Sequence, residues 1–174
     1  MKRLLVTQLL TCMLLVACDR LPEANAPRSA SLARPTSILL ASDNLDPNFN
    51  LEIILRPTGD GDGFGHVTFR QDNDAEKRID LDTWVRDLAP NTAYRLQRAV
   101  DTTIDDQCTS TAWLTLGEGS VAKDIVTDDK GTSKEELFRI LTSPQGATFD
   151  IHFRVVTTAG EPVLESACYQ FFVR

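Results

Sequence analysis

Short runs in which apolar and polar residues alternate follow one another from Asn50 onward. In residues 149–155 every second residue is apolar, and the residues between them are polar or charged. In residues 94–100 the same alternation is interrupted by Arg98, which stands on the apolar face. A period of two is typical of an extended strand with one side in a core and the other in water. Further runs of this kind are marked by Leu51, Ile53 and Leu55, by Val67 and Phe69, by Ile79, Leu81 and, after a break in the alternation, Trp84 and Leu88, by Trp113, Leu114 and Leu116, by Leu137, Phe138, Ile140 and Leu141, and by Ala167, Tyr169, Phe171 and Val173.

Turn-forming residues separate these runs, at 59–63, at Asp129-Lys130-Gly131 and at Ala159-Gly160. No long helical stripe is present. Residues 133–141 open with Ser-Lys-Glu-Glu, a sequence typical of a helix start, although the segment is short. Many short strands joined by turns predict an all-β fold. We expect an antiparallel β-sandwich, immunoglobulin-like or of a similar Greek-key type, over residues 49–174.

The first 17 residues follow the order of a secretory signal. Lys2 and Arg3 precede an uncharged, Leu- and Val-rich stretch, residues 4–17, which is shorter than the roughly 20 apolar residues that span a bilayer. The stretch ends in Leu15-Val16-Ala17-Cys18, which resembles the lipobox of bacterial lipoprotein precursors. The resemblance implies cleavage before Cys18, acylation of Cys18 and anchoring to the lipid bilayer of a bacterial membrane. An ordinary cleaved signal with a chance cysteine is the alternative.

Residues 18–48 are predicted to be the lipidated N-terminus and a flexible linker. The stretch from Asp19 to Pro47 contains four prolines, several Ala and Ser residues and little periodicity. Without Lys2 and Arg3 the chain carries 16 basic and 25 acidic residues, a net charge of −9. An acidic body argues against nucleic acid as a partner, because phosphate binding depends on Lys and Arg. The acidity is consistent with solubility alone.

The cysteines predict one disulfide bond. Cys12 would leave with the signal and Cys18 would be acylated, so Cys108 and Cys168 remain as a single pair in an exported protein. A bond between them closes a loop of about 60 residues and contributes about 4 kcal/mol in the chain-entropy model. The alternation places Cys168 in the last strand, on the face opposite its apolar residues. We therefore expect the bond on the outer face or at a sheet end.

The segment Leu88-Ala89-Pro90-Asn91-Thr92-Ala93-Tyr94-Arg95-Leu96 resembles the Leu-x-Pro-x-Thr-x-Tyr corner of fibronectin type III domains. In that family the chain crosses between two sheets at this corner, and the Tyr hydroxyl bonds to the backbone upstream. The resemblance implies that Pro90 stiffens the corner, that Leu88 and Tyr94 pack inward, and that the phenol donates to a buried backbone acceptor.

Candidate chemistry is sparse. His66 and His152 are the only histidines. His66 follows Gly65 at a predicted strand start and His152 lies on the polar face of a strand, so both are interpreted as surface residues. No Gly-x-Ser-x-Gly elbow accompanies them, which argues against a Ser-His-Asp triad. The stretch Asp60-Gly61-Asp62-Gly63-Phe64-Gly65 is similar to a calcium loop that begins at Thr58. Phe69 then stands where a bidentate Glu is needed. Asp60 and Asp62 are thus weak calcium candidates, and a soluble hairpin turn is the other interpretation. A further acidic group consists of Asp101, Asp105 and Asp106. It is interpreted either as a weak cation site or as a soluble turn.

These observations favour a non-enzymatic binding or structural module of the cell envelope. We expect it on the periplasmic face or at the cell surface, with an envelope protein or a glycan as ligand. No cofactor other than calcium is suggested. Two other classes stay open: an envelope hydrolase that uses a carboxylate pair not located by the sequence, and a calcium-stiffened adhesin.

Overall fold

The structure, a computed structural model, describes residues 50–72 and 74–174. The predicted signal peptide, the lipidation of Cys18 and the linker therefore lie outside the described residues. No helix with the length and apolar character needed to cross a membrane occurs in the described part.

Twelve β-strands and no α-helix make up the described residues, so the predicted all-β, sandwich-like fold is confirmed. In chain order the strands are β1 (Asn50–Pro57), β2 (Phe64–Gln71), β3 (Arg78–Arg86), β4 (Ala93–Asp101), β5 (Leu114–Thr115), β6 (Gly117–Glu118), β7 (Val121–Ala122), β8 (Ile125–Val126), β9 (Ser133–Ile140), β10 (Thr148–Thr157), β11 (Pro162–Ser166) and β12 (Tyr169–Phe172).

One sheet contains all of the strands and bends until it is nearly closed into a barrel. Its order is β5-β4-β10-β11-β1-β2-β3-β9-β6-β7, while β12 pairs with β10 and β8 pairs with β4. The segment that runs from β5 into β6 nearly closes the ring, because β5 lies antiparallel to β4 and β6 lies parallel to β9. Between them, the N–H of Leu116 donates to the carbonyl of Leu96 at 2.9 Å.

Strand β9 confirms the extended run predicted around Leu137, Phe138, Ile140 and Leu141 and rules out the alternative of a short helix start at Ser133. Eight of its residues pair with β3, from Ser133 opposite Val85 to Ile140 opposite Arg78. Leu137 and Leu141 are buried on the inner side. The cross-strand ladder and this burial outweigh a local helix-start signal that has no apolar helical stripe behind it.

The core fills the inside of the sheet, largely with residues from the predicted alternating positions. Trp84 is an exception, because it is exposed and its neighbour Val85 is buried. Phe69 packs edge-on against Phe153 and Phe171, with ring centroids 6.0 Å and 4.7 Å apart. The buried apolar residues are Ile53, Leu55, Val67, Phe69, Ile79, Leu81, Val85, Tyr94, Leu96, Leu116, Ile125, Leu137, Leu141, Ile151, Phe153, Val155, Leu164, Phe171 and Val173.

The corner before β4 is held by hydrogen bonds around Ala89. The N–H of Ala89 donates to the hydroxyl oxygen of Tyr94 at 3.1 Å, so the phenol accepts here rather than donates as expected. The buried hydroxyl of Thr127 donates to the Ala89 carbonyl at 2.7 Å and accepts from the Thr92 N–H at 3.0 Å. Tyr94 is only 4% exposed. The predicted bond from the tyrosine to the upstream backbone is therefore present, with its polarity reversed.

Replacing Tyr94 with phenylalanine should lower the free energy of unfolding by about 1–2 kcal/mol, because the Ala89 N–H loses its acceptor in a partly buried place. Urea denaturation of the two proteins measures the difference. Equal stability would mean that water satisfies the Ala89 N–H and that the phenol oxygen contributes nothing to the corner.

The disulfide bond between Cys108 and Cys168 is confirmed, with Cα atoms 5.4 Å apart and a sequence separation of 60. Both cysteines are half-buried and neither belongs to the core, as the prediction of a bond outside the core requires. One detail differs: Cys168 immediately precedes β12 instead of lying within it. The bond thus ties the β4–β5 loop to the start of the last strand.

Candidate functional site

Two arginines occupy inward positions of the sheet. Arg98 in β4 lies opposite Phe153 of β10, and Arg139 in β9 lies opposite Ile79 of β3. Both of those apolar partners are buried in the core. Side chains directly opposite each other on paired strands point to the same face, so both arginines share the inner face with the core.

Both guanidinium groups line two adjoining cavities. The inner cavity has a volume of about 10 Å³, and its other walls include Phe69, Leu81 and Leu116. The outer pocket has a volume of about 130 Å³. Arg98, Arg139, Leu141 and Phe149 line both spaces, so the arginines stand between the mouth of the pocket and the apolar interior. We call the two spaces together the arginine pocket.

The arginine pocket carries positive charge without a matching carboxylate. Within residues 50–72 and 74–174, no Asp or Glu forms an ion pair with Arg98 or Arg139. A guanidinium nitrogen of Arg139 donates to the carbonyl of Gly119 at 3.1 Å. Burial and, secondly, the charge of Arg139 lower the pKa of Arg98. A guanidinium stays protonated at neutral pH all the same, so the two like charges persist side by side.

Some other basic residues have carboxylate partners. Arg95 pairs with Asp124 at 2.7 Å, and Lys123 pairs with Glu118 at 3.0 Å and with Glu135 at 3.1 Å. Burying a charge without a partner costs free energy, which is why buried charges are usually paired. Within the described residues, the partly buried positive charge of the arginine pocket has no such partner, and an anion bound there would neutralise it.

The two histidines lie on the outer face, outside the arginine pocket. His66 contacts a carboxylate oxygen of Glu52 at 2.6 Å. His152 contacts the carbonyl of Ser110 at 3.1 Å, and its ring packs on Trp113 with centroids 4.5 Å apart. Both are half-buried at the surface, and each has a structural partner.

The calcium candidates Asp60 and Asp62 are exposed in the turn between β1 and β2. Across the described ranges, no group of three or more His, Cys, Asp or Glu side chains is arranged to hold a metal ion. Asp101 accepts from the Thr109 hydroxyl and from the Ser110 N–H, both at 3.1 Å. Asp105 accepts from the Gln107 N–H at 3.1 Å. The carboxylates of Asp101 and Asp105 thus stabilise the β4–β5 loop through hydrogen bonds.

Asp150 is a buried carboxylate that the sequence pattern placed on the exposed side of β10. It is 0% exposed, and one of its oxygens accepts from the N–H groups of Asp105 and Asp106 at 3.0 Å and 2.9 Å. Its other oxygen has no hydrogen-bond partner among the described residues. The outward position was predicted correctly, but the loop anchored by Cys108 covers it. Asp101 lies opposite Asp150 on β4, and both accept hydrogen bonds from this loop, which fits a structural pair better than a catalytic one.

The sequence analysis predicted neither arginine as a site residue. Arg98 was noted only because it interrupts an apolar face. Arg139 was not singled out, although it lies within the run of Leu137, Phe138, Ile140 and Leu141. The signal for Arg139 was present: Leu137 and Leu141 flank it at a spacing of two, as in a strand.

Fold and site together define a β-sheet domain, mostly antiparallel and nearly closed into a barrel, with a small pocket lined by two arginines. Comparison of the chain with protein-family models, with curated protein sequences and with solved structures gives no match. The arginine pocket and the N-terminal residues are therefore the two features that support a function.

Proposed function

We propose that the protein is a lipid-anchored module of the cell envelope that binds a small anion, without catalysis, between Arg98 and Arg139. The observation that supports this function is a half-buried guanidinium, Arg98, with a second arginine beside it and no carboxylate partner in the described part of the chain.

The chemistry of a guanidinium favours an oxyanion as the ligand. Its planar array of N–H donors matches the oxygens of a carboxylate or phosphate and can bind them through two parallel hydrogen bonds. Three hydroxyl side chains of the same pocket, Thr102, Thr142 and Ser143, can donate further hydrogen bonds. The outer pocket of about 130 Å³ accommodates a small molecule and no polymer.

The lining favours binding over catalysis. Of the residues that the structure describes, those lining the arginine pocket carry arginine, hydroxyl and apolar groups, and none of them offers a carboxylate or imidazole as a general base. The protein body is acidic, so it repels anions at long range. Any anion that binds must therefore be held by the local pair of arginines.

Anion binding can be tested by thermal unfolding and isothermal titration of the full chain with acetate, phosphate and sulfate. We expect at least one of these anions to raise the melting temperature of the wild-type protein. Arg98→Gln should weaken that binding at least about tenfold, because a charge-assisted hydrogen-bond pair is lost. In the absence of anions the same variant should be as stable as the wild type or more so, because a repelled, partly buried charge is removed.

Arg70→Gln is the matched control, since Arg70 is exposed on β2 and lines neither cavity. It should bind anions as the wild type does. Binding that Arg98→Gln and Arg70→Gln weaken equally would reflect general surface charge and contradict the proposed site.

The anchor is tested at Cys18. Cys18→Ser should abolish fatty-acid attachment, because the thiol that would be acylated is gone. Cys12→Ser is the control, because it removes the other N-terminal cysteine and should leave labelling unchanged. Metabolic labelling with a fatty-acid analogue followed by gel analysis measures both. Undiminished labelling of Cys18→Ser would contradict the lipobox interpretation.

A further inference from the structure

We infer that the anion taken by the arginine pocket is a short aliphatic monocarboxylate, with its carboxylate on Arg98 and Arg139 and its alkyl end directed into the inner cavity. This inference rests on the proposed function and narrows its ligand to one chemical class. It follows from the polarity of the two sides of the arginine pair.

The side of the arginines that faces the core is apolar. Phe69, Ile79, Leu81, Leu116 and Ile151 line the inner cavity, and all five are buried. Phosphate and sulfate carry oxygens in every direction, so either ion would turn an oxygen toward this wall, where no side chain donates a hydrogen bond. An unsatisfied polar group in such surroundings is unfavourable. A monocarboxylate has oxygens at one end only, and its other end matches the apolar wall.

The volume of the inner cavity sets the length of the alkyl end. About 10 Å³ is roughly the space that one water molecule needs in a cavity, and a cavity with apolar walls stays dry. It therefore admits about one methyl group without displacing core side chains. A longer chain would have to push aside Leu81 or Leu116, which are fully buried in a close-packed interior.

Among the residues that line the inner cavity, Phe149 is the one that can move. It lines both the inner cavity and the outer pocket, it is only half-buried, and its ring packs against Phe171 with centroids 5.4 Å apart. A smaller side chain at this position would join the two spaces into a deeper one. The chain length of the preferred acid should therefore depend on residue 149.

Isothermal titration of the full chain with formate, acetate, propionate, butyrate, hexanoate and octanoate tests this inference, with inorganic phosphate and sulfate as competing anions. Affinity should rise about fourfold for each methyl or methylene group that becomes buried. We expect the maximum at acetate or propionate and a fall of at least tenfold by hexanoate. Phosphate and sulfate should bind more weakly than acetate.

Phe149→Leu should move the maximum to a longer acid while Arg98→Gln removes binding of all of them. Phe138→Leu is the matched control, because Phe138 lies on the outer face under Arg78 and lines neither cavity. Its chain-length profile should equal that of the wild type.

Arg98-dependent binding of phosphate or sulfate that is tighter than that of acetate would overturn the carboxylate inference and leave the proposed function standing. Affinity that keeps rising to octanoate would overturn it as well, since the alkyl chain would then lie outside the inner cavity. Failure of every anion to bind would overturn both this inference and the proposed function.

Discussion

Replacing Gly131 with alanine should destabilise the domain by about 4 kcal/mol or more, a loss that only severe backbone or packing conflicts produce. A Cβ atom at this position would lie 2.0 Å from the carbonyl oxygen of Leu88, so the backbone itself would have to move. The residue also has a φ of +74°, which costs a non-glycine residue roughly a further 1–2 kcal/mol.

The cause of the close approach is the way the 128–132 turn docks on the corner. The N–H of Leu88 donates to the carbonyl of Gly131 at 3.2 Å. A carboxylate oxygen of Asp128 accepts from the N–H groups of Lys130 at 2.9 Å and Thr132 at 2.8 Å. These two hydrogen bonds, chiefly the one from Thr132, lower the pKa of Asp128. Their stabilising effect is therefore present above the ordinary carboxyl pKa and is lost as the pH falls through the lowered value.

Gly146→Ala separates the two contributions at Gly131. Gly146 has a φ of +85°, and no heavy atom lies within 4 Å of its added Cβ. The free energy of unfolding of Gly146→Ala should therefore fall only by the cost of placing a non-glycine residue at a positive φ, roughly 1–2 kcal/mol. Urea denaturation of both variants gives the comparison. If the two variants were equally destabilised, the contact between the turn and the Leu88 carbonyl would have no energetic role.

Loss of the Cys108–Cys168 bond should lower the free energy of unfolding by about 4 kcal/mol, because a loop of this length is no longer closed in the unfolded chain. For a domain of this size that corresponds to a fall in melting temperature of roughly 10–15 °C. The β4–β5 loop should loosen first, since the bond holds it over Asp150.

Calorimetry with and without a reductant measures this effect in the wild-type protein. The double variant Cys108→Ser/Cys168→Ser is the control, because a reductant should not change its melting temperature. Mass spectrometry under non-reducing conditions identifies the bonded state. A wild-type protein that melts at the same temperature with and without reductant, despite an intact bond beforehand, would refute the stabilising role.

The features that could be predicted from the sequence depend on neighbouring residues, whereas those that could not depend on residues far apart in the chain. Alternation is a local property, so the strands around Ile53, Phe69, Leu96 and Phe153 could be predicted from a few neighbouring residues. The disulfide pairing could also be predicted. If Cys12 leaves with the predicted signal peptide and Cys18 is acylated, only Cys108 and Cys168 remain in an exported protein. The direction of the Tyr94 hydrogen bond could not be predicted, since it depends on which backbone group faces the phenol after folding.

The features that could not be predicted depend on residues that are distant in sequence. Arg98 and Arg139 line the same pocket because the segment from β5 to β6 connects β4 with β9, and alternation says nothing about strand order. Asp150 is buried because a loop from another part of the chain covers an outward position. The choice between a strand and a short helix at Ser133 was left open because the pairing of β9 with β3 lies outside the local window.

The near closure of the sheet also affects how copies of the molecule behave when they are concentrated. Among the described strands, the two ends of the strand order, β5 and β7, contain two residues each, and β12, which pairs only with β10, contains four. A long unpaired strand edge is a template on which a second chain can add its own strand, and it is a common start of aggregation. A second chain that paired with any of these short edges would gain few hydrogen bonds, so they are poor templates for extension of the sheet.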